Sequence, residues 1–284
     1  MIDAERVRQR VGTLPSMPTT VLELGRTVRD ERCTVDRVLA ILTKDPGLTA
    51  TLLRLANSVM HARDGRVMDL RSAVMRLGFD AIFKLGQSAA IIKSIRGGAH
   101  LDRLRLWQHS VAVGEVAKGI CRLIGQDDLL DQAYLAGLLH DIGKIALDQC
   151  FSDDYGPVVE AMAAGEFCLD AERRILGLDH AQVGAMVAVQ WNFPEPLVRA
   201  IREHHDGDCQ DFLAYLIQLS DLLVRTRIPN SPADEGLAFV LAEQPAFSRV
   251  FQGAAAGIDE ERLTFGIDDE LDHAVTFVKL VFQD

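Results

Sequence analysis

Apolar residues in this chain recur at helical spacing and almost nowhere at the two-residue spacing of a strand. Val35, Val38, Leu39 and Leu42 fall at i, i+3, i+4 and i+7, one face of a helix. Thr34 stands where an N-cap belongs, and Asp45-Pro46-Gly47 closes the segment. A further helix is expected from Leu48 through TATLLRLANSV, then a loop from His61 to Arg66. Asp69 caps LRSAVMRL, and Phe79-Asp80 opens a helix through AIFKLGQSAAIIK. Gly78, between the last two, fits the position past a helix C-terminus, where positive φ is needed. The first 95 or so residues therefore read as a stack of about five helices.

Beyond the Gly97-Gly98 seam, helices are expected at about 103–124, 130–148, 153–165, 168–176, 180–191, 195–205 and 211–226. Pro194 and Pro196 sit at a helix start. Asn230-Ser231-Pro232 marks a second seam, and the tail reads as two or three helices separated by AAAGID and FGIDDE turns. The expected organisation is an N-terminal helical region over 1–98, a second helical region over 99–228 and a C-terminal helical extension over 229–284, all-α throughout.

With 284 residues, 48% of them hydrophobic, the chain can bury a substantial core. No stretch of 18 or more residues is free of charge, which argues against a membrane span. The N-terminal MIDAERVRQRVGTLP lacks the apolar run of a signal peptide, so a cytoplasmic protein is expected. A net charge of -11 has the wrong sign for a general nucleic-acid binder. Arg71, Arg76, Lys84, Lys93 and Arg96 read as a solvated face. Five cysteines, none in a CxxC pair and odd in number, argue against a disulfide framework and read mostly as buried or half-buried thiols. Trp107 and Trp191 read as core anchors, and His61, His100 and His273 as surface or loop histidines.

The segment from Leu135 to Leu147 is almost wholly apolar except for His140, Asp141 and Lys144. A helix apolar on nearly all sides is buried, and a carboxylate there is costly unless it is paired or ligates a metal. Adjacent His and Asp cannot point the same way on a helix, although they can flank an ion from either side as the helix passes over it. Asp221 is the one charge in the apolar run from Phe212 to Val224. Six of the eight histidines lie between residues 100 and 230, among them His109, His140, His180, His204 and His205. Nitrogen and carboxylate donors without thiolates suit Fe, Mn, Zn, Co or Ni, and Mg less well. On spacing alone, structural His–Asp pairing and metal ligation both remain open.

An ordered series of motifs resembles the HDOD family of the HD superfamily. It runs through Leu14-Pro15-Ser16-Met17-Pro18, Lys44-Asp45-Pro46-Gly47-Leu48-Thr49 and Leu52 to Ser58. It continues through Leu70 to Gly78, Leu106-Trp107-Gln108-His109-Ser110 and Ala136 to Lys144. Glu172, His180 to Gly184, Trp191-Asn192-Phe193-Pro194 and Ile201 to His205 complete it. The resemblance covers about residues 12–225 and implies an HD-superfamily helical bundle preceded by a packed N-terminal helical stack.

The resemblance also implies a signalling or regulatory domain, with a metal-dependent phosphohydrolase or phosphodiesterase as the alternative. By analogy with the superfamily, His109, His140, Asp141 and Asp221 would hold one divalent transition metal, with Fe or Mn favoured. Asp141 would bridge to a second ion held by His180, His204 and His205. Asp141 and Lys144 are the candidate catalytic residues, Lys144 matching a lysine that would contact phosphate. The implied partners are a phosphate-bearing small ligand and a signalling protein. The chain departs from the related HD-GYP pattern after His204-His205, where Asp206-Gly207-Asp208-Cys209-Gln210-Asp211 replaces a Gly-Tyr-Pro element, which weakens a reading of cyclic dinucleotide hydrolysis. Arg105 stands where some HD-GYP proteins carry a further glutamate ligand, which argues against a third metal.

Overall fold

A computed structural model describes residues 2–60, 67, 69–228, 240–252 and 260–282. Among them there is no strand. The helices are α1 (Ala4–Val11), α2 (Thr19–Val28), α3 (Val35–Leu42), α4 (Pro46–Met60), α5 (Leu70–Ser94), α6 (Arg103–Leu123), α7 (Leu130–Leu139) and α8 (Ile142–Cys150). They are followed by α9 (Ser152–Ala163), α10 (Cys168–Leu176), α11 (His180–Gln190), α12 (Glu195–Glu203), α13 (Phe212–Arg225), α14 (Pro245–Val250) and α15 (Glu260–Phe282). The all-α expectation holds.

The chain divides into two compact units, Pro15–Ile95 with Thr276–Asp284, and Met1–Leu14 with Arg96–Val275. In the smaller unit, Leu24, Leu42, Leu52, Leu55, Ile82 and Ile91 are fully buried and form much of the core. Its helices start where short polar side chains satisfy the first amides: Thr34 accepts from Arg37 N and Asp69 from Ser72 N. Gly78 adopts φ +83° and breaks α5, matching the expected helix end there. Arg71 pairs with Asp36 and Lys84 with Asp80, so two of the basic residues read as a solvated face are matched by acids.

In the larger unit, α6 packs along α7 and α13, α8 along α11, α11 along α12, and α12 along α13. Two of these crossings depend on glycine. A Cβ on Gly137 would lie 2.5 Å from Gly114 Cα, so α7 and α6 meet backbone to backbone. A Cβ on Gly143 would collide with the His180 carbonyl and lie 2.7 Å from Gly184 N, so α8 and α11 do likewise. Trp107 and Trp191 are both buried, as core anchors should be. His100 and His273 are exposed, and His61 lies outside the described residues.

Two expectations need correction. The single helix expected at 130–148 is two helices, broken at His140-Asp141, where Asp141 has φ -97° and ψ 8°. The continuous apolar run hides this break because both fragments are buried on nearly every side. The FGIDDE segment, expected as a turn, lies within α15, so its glycine is tolerated inside a helix. The AAAGID segment and Asn230-Ser231-Pro232 lie outside the described residues.

Candidate metal centre

The break between α7 and α8 shapes the site. A helix passing straight over an ion would send His140 and Asp141 to different sides. The observed turn lets both side chains enter one interior point of the bundle. Gly137, three residues before the pair, brings α7 onto α6, which carries His109. Gly143, two residues after it, brings α8 onto α11, which begins at His180. His204 and His205 leave the end of α12, and Asp221 projects from α13.

The seven proposed metal-ligating residues converge, and six of them are buried; His205 is half-buried. Asp141 sits between two groups. Its Oδ1 faces His180 Nε2 at 3.2 Å and His204 Nε2 at 3.9 Å. Its Oδ2 faces His140 Nε2 at 3.3 Å and accepts a hydrogen bond from Lys144 Nζ at 2.7 Å. Donor atoms of Asp141, His180, His204 and His205 lie within 4.8 Å of one another, as do those of His109, His140 and Asp141. Asp221 Oδ1 joins the second group at 2.8 Å from His109 Nε2 and 3.8 Å from His140 Nε2. Arg105 is exposed. Lys144 does not reach for solvent; it is buried against Asp141.

Local structure sets the imidazole tautomers. His140 and His204 each follow the last turn of a helix, where carbonyls lack amide partners. His140 Nδ1 donates to Gly137 O at 2.7 Å, and His204 Nδ1 donates to Ile201 O at 2.7 Å. Each ring is thereby left with Nε2 toward Asp141. These two Nε2 atoms are buried without a hydrogen-bond partner among the described residues, an arrangement that normally costs about 1–3 kcal/mol per group. A divalent ion is the partner this nitrogen and carboxylate set would accept, so the residues fit a metal.

The electrostatics of Asp141, Asp221, His204 and His205 agree with this, while His140 carries a proton that a metal would displace. Burial disfavours the charged form of Asp141, but His140 and Lys144 outweigh it and hold the carboxyl well below its usual range. Burial likewise opposes ionisation of Asp221, yet the hydrogen bond and charge of His109 keep it low. Burial, with His140 and His180 nearby, pushes His204 down to about 3, and burial with His204 pushes His205 well down. For His140, burial works against the imidazolium, but Asp141 overcomes it and raises the group. Ionised carboxylates and neutral imidazoles are the forms that bind metal.

Three residues have no assigned role in the sequence reading. Glu172 on α10 is fully buried and accepts from His180 Nδ1 at 2.6 Å, from His180 N at 2.8 Å and from the Tyr155 hydroxyl at 2.9 Å. The Cys168 thiol lies 3.4 Å from the same carboxylate. The available signal was a glutamate in the apolar stripe of α10, four residues from Leu176. A third, Asp148, is buried on α8 and accepts from the backbone N–H groups of Gly98, His100 and Leu101.

The chain is similar to solved and curated proteins. An HDOD domain protein of unknown function from Geobacter sulfurreducens superposes with a TM-score of 0.79 at 26% identity, over 99% of this chain and 100% of that one. An uncharacterized protein of Treponema pallidum (strain Nichols) is 27% identical over 206 residues, 72% of this chain and 40% of that protein. Ribonuclease Y of Lawsonia intracellularis (strain PHE/MN1-00) is 29% identical over 166 residues, 56% of this chain and 26% of that protein. The chain therefore spans less than half the length of either curated relative. No helix among the described residues is long and apolar enough to cross a membrane. The HDOD domain model matches residues 14–207, a stretch that contains every proposed ligand except Asp221, and on that match the chain belongs to the HDOD domain family.

Proposed function

We propose that this is a signalling or regulatory domain built around a mono- or dinuclear divalent-metal centre. His109, His140, Asp141 and Asp221 hold one position, and Asp141, His180, His204 and His205 hold the other. The donor set favours Fe or Mn, with Zn, Co or Ni also suited. The observation that carries the regulatory reading is the burial of six of the seven ligating side chains, with only His205 half open. A centre so enclosed favours stable binding over substrate exchange. In this reading a phosphate-bearing small ligand is sensed at the His205 side, and the output passes over helix surfaces to a signalling protein in the cytoplasm.

A second reading, a metal-dependent phosphohydrolase or phosphodiesterase, is favoured by the two-sided placement of Asp141 with Lys144 on its Oδ2. A divalent ion bound there supplies Lewis-acid charge for a phosphate oxygen and acidifies water. Lys144 holds Asp141 ionised and oriented, and its ammonium adds positive charge where phosphate would bind. The ribonuclease among the relatives is in keeping with phosphodiester chemistry.

Elemental analysis of untagged protein beside Asp141→Ala, with nucleotide and phosphodiester assays in the same metal, separates the two readings. One or two equivalents of metal, lost in the variant, with no turnover, is the expected result. Turnover abolished by Asp141→Ala would transfer the assignment to the hydrolase. Absence of metal after supply of each candidate ion would overturn both.

A further inference from the structure

The two halves of the centre are not built alike. In one half, the Glu172 carboxylate can only accept hydrogen bonds, so the proton on His180 must sit on Nδ1, and Nε2 presents a lone pair toward Asp141. Glu172 is itself held by Tyr155 and by the His180 amide. His204 is fixed in the same tautomer by Ile201 O. Two of the three imidazoles in this half are thus already in the form that binds metal. The third, His205, is half-buried and lies with its Nε2 3.0 Å from His180 Nε2.

The other half faces an obstacle. His109 Nε2 donates to Asp221 Oδ1, so its nitrogen and that oxygen occupy each other. Ligation through His109 Nε2 would move the proton to Nδ1, which is buried without a hydrogen-bond partner among the described residues. The bond to Asp221 would be lost and a buried donor stranded. Among the described residues no carboxylate backs the Nδ1 of His109, and the Nδ1 of His140 rests on a backbone carbonyl.

We propose that the two metal positions fill in order, and that Glu172, backed by Tyr155, is the positioning residue that makes the His180–His204–His205 half the tighter one. This rests on the metal-centre reading above. Carboxylates that orient a ligating histidine typically contribute about 10-fold to 100-fold in affinity.

The test is a Co²⁺ titration of chelator-stripped full-length protein, followed by visible absorption and calorimetry. In wild type the tighter step should vanish in His204→Gln and survive within about twofold in His109→Gln. Glu172→Gln should weaken it by about 10-fold to 100-fold, and Tyr155→Phe by a smaller factor. A single binding step that stays single in excess Co²⁺ would overturn the ordered filling of two positions. Loss of the tighter step in His109→Gln would overturn the proposal. So would a tighter step unmoved by Glu172→Gln in protein of unchanged Tm. Should Glu172→Gln not fold, Tyr155→Phe decides: an unmoved tighter step overturns the role of Glu172. Wild-type protein that binds no Co²⁺, Mn²⁺ or Fe²⁺ would instead overturn the metal centre itself, a result distinct from a wrong order of filling.

Discussion

Asp141 caps the start of α8 and Asp148 lies within it, and both are buried, yet their surroundings are opposite. Asp148 accepts from three backbone amides, at Gly98, His100 and Leu101. Those donors cannot titrate, rotate away or bind anything else. Asp141 is surrounded by side chains: His140, His180 and His204 through nitrogen, and Lys144 through its ammonium. Each of those partners can gain or lose a proton, and the imidazoles can exchange Asp141 for a metal. A buried carboxylate met by backbone stabilises a loop; one met by imidazoles stores binding capacity.

Removing the first carboxylate should have the largest effect on folding. Asp148→Ala removes the acceptor of three amides and is expected to cost about 3 kcal/mol, read as a lower urea midpoint, with metal content per folded molecule unchanged. Metal loss from that variant while it remains folded would erase the contrast. The second carboxylate should show the reverse pattern. Asp141→Asn is expected to weaken metal binding by a hundredfold or more, about 3 kcal/mol, measured by elemental analysis after dialysis.

A pH series sharpens the contrast further. In metal-free protein His140 holds its proton above the ordinary value of 6.5, through Asp141 and in spite of burial. Metal must displace that proton. Apparent affinity should therefore rise about tenfold, roughly 1.4 kcal/mol, per pH unit until His140 is deprotonated, and level off above that point. A flat profile from pH 6 upward would contradict it. The smallest effect concerns Lys144. Lys144→Gln removes a like charge from beside the ion and should tighten metal binding by about threefold to tenfold, roughly 1 kcal/mol. Weaker binding in a calorimetric titration would show that its hold on Asp141 outweighs its repulsion of the ion.

Much of this was legible in the chain. Helical spacing around Val35 and Leu42, the cap at Asp69 and the break at Gly78 follow from local chemistry that tertiary packing does not reverse. The ordered motifs identified the seven residues that converge. Two matters were hidden. The break at His140-Asp141 falls on the polar residues of an otherwise apolar run, where a charged pair is equally compatible with one continuous buried helix and no proline marks an end. Glu172 stands in the ordered motif series, yet nothing in CLDAERRIL says what it holds; its partner His180 lies eight residues on, and only the fold brings the two together. Asp148 was passed over for a related reason, since its partners are amides nearly 50 residues earlier in the chain.

The glycines on either side of the His-Asp pair make the centre a calliper. With no side chain at Gly137 or Gly143, α7 rests on α6 and α8 on α11 with nothing compressible between them. Metal–ligand bonds tolerate changes of only about 0.2 Å, whereas seating a methyl group at either crossing would push the helices apart by far more. Helix separation and ligand separation are therefore one mechanical variable in this bundle. Whatever spreads or closes those crossings changes the grip on the ion, and a bound ion, in turn, gauges how closely the helices are drawn together.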